Sequence, residues 1–177
     1  EFDLRLSSLL TRYPRQMLSA QLNLLDSHDV SRFLTLCGGD RARMEQAVLF
    51  QMTFPGMPCV FYGDEKGLEG ASENEYRRPM DFGRADGLEE AYRRMIALRK
   101  AHPALLHGDF QTLLAQGRLF VCRRDAPEES LILCWNAGDR AQPLPDFSAE
   151  SVPLLQKGWG GGLLEGRGYA VFRARKA

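Results

Sequence analysis

Side chains that could do chemistry follow two apolar runs in the first third of the chain. The first run, in LNLLDSHDVSRF, leads into two carboxylates, an imidazole and a guanidinium within residues 26–32. The second run, CVFYG at residues 59–63, is followed directly by Asp64 and Glu65. In parallel α/β folds, ligands bind at the carboxyl ends of the strands, where loops gather side chains. Acids from two neighbouring strands therefore indicate a ligand cleft, although acids after strands also serve as helix caps and loop residues.

The elements expected to position these side chains alternate between helix and strand. The predicted order is a helix over residues 2–12, a strand over 21–26, a helix capped by Asp40, a strand over 59–63 and a helix from Asp86. This alternation predicts parallel strands with crossover helices. Both strands are apolar enough to be buried on both faces. Because two parallel strands complete neither a barrel nor an open sheet, we expect the end of a longer α/β protein.

After residue 103 the sequence pattern changes from alternating helices and strands to short β-rich runs. Short β-rich runs such as GRLFVCRRD, SLILCWNAGD and GYAVFRARK are separated by Gly, Pro and Asp. This pattern predicts a small antiparallel sheet or sandwich from about residue 104 to residue 177.

Composition restricts the class of protein. The 177 residues include 23 Lys plus Arg and 23 Asp plus Glu, so the formal net charge is zero. A nucleic-acid binder needs a basic stripe, and anionic membranes attract basic surfaces, so we expect neither partner. The 4 cysteines include no C-x-x-C pair. They are expected to be buried free thiols in a reducing compartment, which favours a cytoplasmic location.

Three segments in order carry a resemblance to a known family. LLDSHDVSRF, FPGMPCVFYGDE and GLEGASENEYRRPMDF resemble glycoside hydrolase family 13, the α-amylase family. The third segment is most similar to the neopullulanase, cyclomaltodextrinase and maltogenic amylase branch. The resemblance implies an α/β plus all-β fold. Residues 1–103 would be the last quarter of a (β/α)8 barrel, with its seventh and eighth strands, and residues 104–177 a C-terminal antiparallel β-sandwich.

The resemblance also implies roles for four residues. Asp29 matches the third essential carboxylate of the family, which holds sugar hydroxyls and stabilises an oxocarbenium-like transition state. His28 would donate a hydrogen bond to the same sugar. Glu73 and Arg77 match residues that contact glucose units on the non-reducing side. Glu73 is a departure because Asp is usual there, and Val30 is another because Thr commonly follows the essential Asp.

The resemblance further implies what the chain lacks. A retaining glycosidase needs a nucleophilic carboxylate and a general acid/base about 5 Å apart. The family supplies them from the fourth and fifth strands, the nucleophile within Gly-x-Arg-x-Asp, and this pattern does not occur here. The chain is therefore expected to belong to an enzyme that cleaves α-1,4 or α-1,6 glucosidic bonds in α-glucan oligosaccharides, and to be inactive alone. We expect no cofactor and no metal.

Two further expectations concern the isolated chain. Exposed barrel edges predict a homo-oligomer formed by edge pairing or swapping. The alternative is a non-catalytic carbohydrate-binding or scaffold module that has retained a sugar-contacting rim. A self-sufficient module would need covered or more polar strand faces, which the apolar runs do not offer.

Several polar and aromatic residues have a structural interpretation beside the functional one. Arg32 could contact substrate, but an ion pair with Asp26 or Glu65 is favoured. The acids after the second strand are expected to orient loops by accepting from backbone N–H groups. Trp135 is expected in the core, whereas Trp159 is the better candidate for an exposed aromatic that stacks on sugar.

Overall fold

The computed structural model describes residues 1–84, 87–147, 150 and 152–175. In these ranges the helices are α1 (Phe2–Arg12), α2 (Arg15–Ala20), α3 (Phe33–Leu36), α4 (Arg41–Thr53), α5 (Glu73–Tyr76), α6 (Leu88–Ala101) and α7 (Pro103–His107). The strands are β1 (Leu22–Asn23), β2 (Met57–Pro58), β3 (Asp109–Gln116), β4 (Leu119–Asp125), β5 (Ser130–Asn136), β6 (Gln142–Pro143), β7 (Leu155–Gly160) and β8 (Leu163–Arg173).

The three predicted helices are confirmed. Helix α1 ends at Arg12, because Tyr13 before a proline is extended. Helix α4 begins after Asp40, whose carboxylate accepts hydrogen bonds from the backbone N–H groups of Ala42 at 2.9 Å and Arg43 at 3.2 Å. Helix α6 ends at Ala101, directly before His102 and Pro103. The predicted start at Asp86 lies outside the described residues.

The predicted parallel pairing of the first two strands is confirmed, but their length and burial are not. Strands β1 and β2 pair only Leu22 with Met57 and Asn23 with Pro58. Leu22 is 60% exposed and Met57 is 48% exposed, so the prediction of strands buried on both faces is wrong. The physical reason is that no further described strand pairs with either one. CVFYG itself follows β2 as irregular backbone rather than forming the strand.

A buried glutamine of α4 forms hydrogen bonds to backbone carbonyls in and directly after this strand pair. The Gln51 side-chain N–H group donates to the carbonyls of Asn23 and Cys59, at 2.9 Å in both cases. The Cys59 backbone N–H also donates to the Asn23 carbonyl at 3.0 Å. Gln51 thus satisfies backbone acceptors at the start of both loops that carry the polar residues.

Replacing Gln51 with Met is expected to lower the free energy of unfolding by about 1–3 kcal/mol, because the Cys59 carbonyl loses its donor while buried volume is kept. Urea denaturation followed by circular dichroism measures the change. Gln111→Met, at an exposed position of β3, is the matched control and should change stability little. Equal losses in both variants would contradict this role of Gln51.

Two buried arginines attach the end of α4 to the rest of the molecule. Arg99 donates to the carbonyls of Met52 at 2.7 Å and Gly56 at 2.6 Å. Arg124 donates to the carbonyls of Thr53 and Gly108. Burial lowers the pKa of Arg124 to about 10, so the guanidinium remains charged at neutral pH and complements the carbonyl end of the helix.

The predicted antiparallel strands are confirmed. They form one curled sheet in the order β3–β4–β5–β8–β6, with β7 also paired to β8. One face packs against the helices in a common core that includes Val48, Phe120, Trp135 and Tyr169. The opposite face has a smaller core around Val121. Because side chains alternate between the two faces along β4 and β5, these strands contribute residues to both cores.

The prediction of free thiols is confirmed for all four cysteines. Cys37, Cys122 and Cys134 are buried, and Cys59 is half-buried.

Candidate functional site

The polar residues after β1 form an exposed arch, defined here as residues 26–32. Both ends of the arch are buried, since Asp26 is 3% exposed and Arg32 is 0% exposed. Asp26 accepts a hydrogen bond from the Phe33 backbone N–H at 2.6 Å, at the start of α3. The tip of the arch, with His28 and Asp29, faces solvent.

The loop that follows β2, defined here as residues 59–72 and called the second loop, is attached to the arch and to α3 by hydrogen bonds. The Arg32 N–H donates to the Gly70 carbonyl at 2.9 Å, and the Gly70 N–H donates to the Thr35 hydroxyl at 2.8 Å. A Cβ on residue 70 would lie 2.6 Å from backbone atoms of Glu75 and Tyr76, so only glycine permits this close approach. The segment after Gly70 is thereby placed beside the tip of the arch.

Helix α5 then aims Arg77 at the arch. The Glu75 carboxylate accepts from the backbone N–H groups of Ala71 at 2.8 Å and Ser72 at 2.9 Å, and these bonds lower the pKa of Glu75. Ser72 and Glu75 together form a capping box that begins the helix. Arg77 follows directly after the last residue of α5.

The structure brings all four predicted site residues together as one rim cluster, namely His28, Asp29, Glu73 and Arg77. Arg77 donates through Nε to the His28 carbonyl at 2.8 Å and through Nη2 to Asp29 Oδ1 at 3.1 Å. Its Nη1 lies 3.0 Å from Glu73 Oε1. His28 Nε2 lies 3.2 Å from Asp29 Oδ2. Arg77 therefore contacts a carboxylate that lies 48 positions away in sequence.

This geometry suits a neutral ligand with several hydroxyls. Each oxygen of Asp29 contacts one protein partner, which leaves further lone pairs for two adjacent hydroxyl donors. The Asp29 side chain is 66% exposed and Glu73 is 64% exposed, so both are open to a ligand. The guanidinium of Arg77 lies between the two carboxylates and offsets part of their negative charge, so the cluster does not offer a site for an anionic ligand.

The structure corrects the expected partner of Arg32. Its Nη1 donates to Asp64 Oδ1 at 3.1 Å and to the Tyr62 carbonyl at 2.7 Å, so Arg32 forms its ion pair with Asp64 rather than with Asp26 or Glu65. The guanidinium carbon also lies 4.2 Å from the centre of the Phe61 ring. Arg32 is therefore a buried structural residue, as favoured, because no substrate can reach a fully covered side chain.

Other sequence expectations have mixed outcomes. Glu65 orients its loop by accepting from the Gly63 N–H at 3.0 Å, as predicted. Trp135 is 5% exposed and donates to the Gln46 carbonyl, so its assignment to the core is confirmed. Trp159 is half-buried and packs edge to face on Phe172 at 5.3 Å between ring centres. It is therefore not a freely exposed aromatic.

Sequence reasoning missed the buried contacts beneath the rim. Asp64 pairs with Arg32, and Tyr92 of α6 is 2% exposed in the same region. The position of Asp64 directly after CVFYG was the available signal, but sequence spacing does not distinguish it from Glu65.

Among residues 1–84, 87–147, 150 and 152–175, no three His, Cys, Asp or Glu side chains form a metal-ligand group. None of the described helices is long and apolar enough to span a membrane.

Comparisons with known proteins agree on one group of enzymes. The family described as alpha amylase, catalytic domain, matches residues 2–91. A cyclomaltodextrinase of Geobacillus thermopakistaniensis is 36% identical over 97% of this chain and 29% of its own length. Neopullulanase 2 of Thermoactinomyces vulgaris is 39% identical over 78% of this chain and 25% of its own length.

Solved structures give the same result. The debranching enzyme of Nostoc punctiforme, in crystals soaked with acarbose, superposes with a TM-score of 0.86 and 32% identity over 98% of this chain. The chain spans 38% of that structure, and less than a third of the two relatives above. The similarity therefore covers nearly all of this chain but only a minor part of each longer protein.

Proposed function

The chain belongs to the alpha-amylase family, and from this premise we propose that it is the C-terminal part of an enzyme that cleaves glucosidic bonds in α-glucans. Its relatives are glycoside hydrolases of that family, named cyclomaltodextrinase, neopullulanase and amylopullulanase. The proposed reaction is hydrolysis of α-1,4 or α-1,6 bonds with retention of configuration.

The rim cluster is the observation that carries this proposal. Two motifs that are far apart in sequence contribute to it, and Arg77 contacts both His28 and Asp29 within 3.1 Å. Asp29 would hold two hydroxyls of the sugar that undergoes reaction and stabilise the flattened ring as positive charge develops. His28 would donate to the same sugar, and Glu73 would contact the neighbouring glucose unit.

Arg77 would have two roles in this arrangement. It was expected to contact glucose, and its three donor positions already serve Asp29, Glu73 and the His28 carbonyl. With a side chain that is 45% exposed, it can still offer a remaining N–H to a sugar hydroxyl. Orientation of the Asp29 carboxylate would be its second contribution.

The architecture that supports this function is the end of a barrel. Residues 1–103 would supply the seventh and eighth strands of a (β/α)8 barrel, represented by the parallel pair β1 and β2. Residues 104–177 would form the C-terminal β-sandwich, for which the two cores on opposite faces of the antiparallel sheet give support. The nucleophile and the acid/base would come from other strands, so the chain alone would not hydrolyse glucans.

A chimera tests the proposal. Residues 1–177 would replace the matching C-terminal portion of the Geobacillus cyclomaltodextrinase, which supplies the missing carboxylates. The expected result is hydrolysis of maltotriose by the chimera and none by the isolated chain at equal concentration, measured by release of reducing ends. A folded chimera with no activity would contradict the proposed function, and activity of the isolated chain would contradict its dependence on other strands.

The exposed strand pair also leads us to propose self-association of the isolated chain. Leu22, Leu24 and Met57 are each about half exposed or more, and a second copy would cover them. Light scattering with and without maltotriose measures the mass of the folded species. A dimer or larger oligomer unaffected by sugar is expected. A monomer whose melting temperature rises with maltotriose would instead support a self-sufficient sugar-binding module.

A further inference from the structure

Three buried residues beneath the rim cluster, Asp26, Arg32 and Asp64, connect the two loops that carry it. Asp26 and Asp64 are each 3% exposed, and Arg32 is fully covered. Asp26 Oδ2 accepts from the Phe33 N–H at the start of α3, whereas Asp26 Oδ1 is buried without a hydrogen-bond donor among the described residues. The Arg32 ion pair with Asp64 joins the last end of the arch to the second loop, and the charge of Asp26 also acts on Asp64. These three residues are called the anchor.

The charges of the anchor do not balance if both acids are ionised. Two carboxylates would face one guanidinium, and burial makes an unpaired charge costly. Within the described part of the chain, Tyr92 of α6 and Glu65 of the second loop also lie near the anchor, and neither supplies positive charge. A proton on one of the acids also supplies a hydrogen-bond donor where the described residues offer none to Asp26 Oδ1. One retained proton makes the anchor neutral.

We propose that Asp26, Arg32 and Asp64 are positioning residues that hold the arch, and with it Asp29, in a manner that depends on one proton retained by one of the two acids. The consequence for catalysis rests on the proposed function of Asp29. The holding of the arch itself does not, since it concerns only contacts within this chain.

The direction of the pH dependence follows from linkage. Burial, and next the charge of Asp26, raise the pKa of Asp64 to about 8, against the opposing effect of Arg32. Burial also raises the pKa of Asp26. A group whose pKa is raised in the folded state stabilises that state fully below its unfolded pKa, near 4, and loses this contribution as pH rises to about 8. The arch is therefore held most firmly at acidic pH.

Hydrogen exchange of the isolated chain tests this proposal. The Arg32 amide donates to the Gly70 carbonyl of the second loop, and the Phe33 amide donates to the Asp26 carboxylate at the first end of the arch. Their protection factors, corrected for intrinsic exchange, are expected to fall about tenfold per pH unit between pH 5 and 8 and to level off above that, as release of one proton requires. Asp64→Asn, which mimics the protonated acid, should remove this slope and leave protection high at pH 8.

Further variants separate positioning from general stability. Asp64→Ala should lose protection at every pH, whereas Asp26→Asn should remove the slope in the same way as Asp64→Asn. Glu69→Gln, at an exposed acid of the second loop, should keep the original slope. Protection that is independent of pH in the unaltered chain, or an unchanged slope in both Asn variants, would overturn the proposal. An inactive chimera with the expected exchange pattern would count only against the proposed function.

Discussion

Asp29→Asn is expected to lower kcat of the chimera by about 10²–10³-fold, the range found when a group aimed at transition-state charge is removed. The amide keeps the shape of the side chain but has no negative charge and only one acceptor oxygen. Asp29 Oδ1 accepts from Arg77 and Oδ2 lies against His28. An amide cannot accept at both positions and also bind two sugar hydroxyls.

The effect should appear mainly in kcat, because interactions that strengthen as the ring flattens act on the transition state more than on bound substrate. Initial rates of maltotriose hydrolysis at several concentrations give kcat and KM separately. Glu69→Gln also removes one carboxylate of the nearby loop and should leave both constants near those of the unaltered chimera. A kcat for Asp29→Asn within a few-fold of that value would contradict the proposed role of Asp29.

The second large effect is expected at Trp135. Trp135→Ala should lower the free energy of unfolding by about 3–5 kcal/mol, as is typical when a large aromatic side chain is removed from a core. Its ring lies 5.8 Å from the ring centres of both Phe50 in α4 and Phe120 in β4, and its indole N–H donates to the Gln46 carbonyl at 3.2 Å. The substitution therefore leaves a cavity where helices and sheet meet and removes one hydrogen bond to the Gln46 carbonyl.

Urea denaturation with far-ultraviolet circular dichroism measures the loss. Trp159→Ala is the matched control, because its half-buried ring packs against the smaller core on the opposite face of the sheet. Trp159→Ala should lower the free energy of unfolding clearly less than Trp135→Ala does. Equal losses for the two tryptophans would contradict the central position of Trp135, and a transition in which the helical signal survives that of the sheet would contradict the common core.

Local sequence was sufficient for the elements whose signals lie within one segment. Asp40 followed by an apolar helical face correctly predicted the start of α4, and Tyr13-Pro14 correctly predicted the end of α1. The short helix α2 was missed because a proline that ends one helix can also precede the first turn of the next. For β1 and β2 the pairing direction was predicted correctly, but burial was not, since it depends on neighbouring strands.

The rim cluster was accessible from sequence because two motifs of one family carry it, and the structure brings their side chains within hydrogen-bonding distance. The buried contacts that hold the rim cluster in place could not be predicted from the sequence. The sequence does not determine whether Arg32 pairs with Asp26, Asp64 or Glu65, and only the observed fold places Asp64 Oδ1 at 3.1 Å.

The sequence by itself determined the family, the antiparallel character of the second half and the identity of the rim residues. These properties depend on residue types, their order and short-range periodicity. The tertiary structure alone decided that Arg77 contacts both His28 and Asp29, that Trp135 joins the helices to the sheet, and that two acids and one arginine are buried together. Such contacts join residues distant in the chain, and their energies depend on distance and burial, which a linear sequence does not specify.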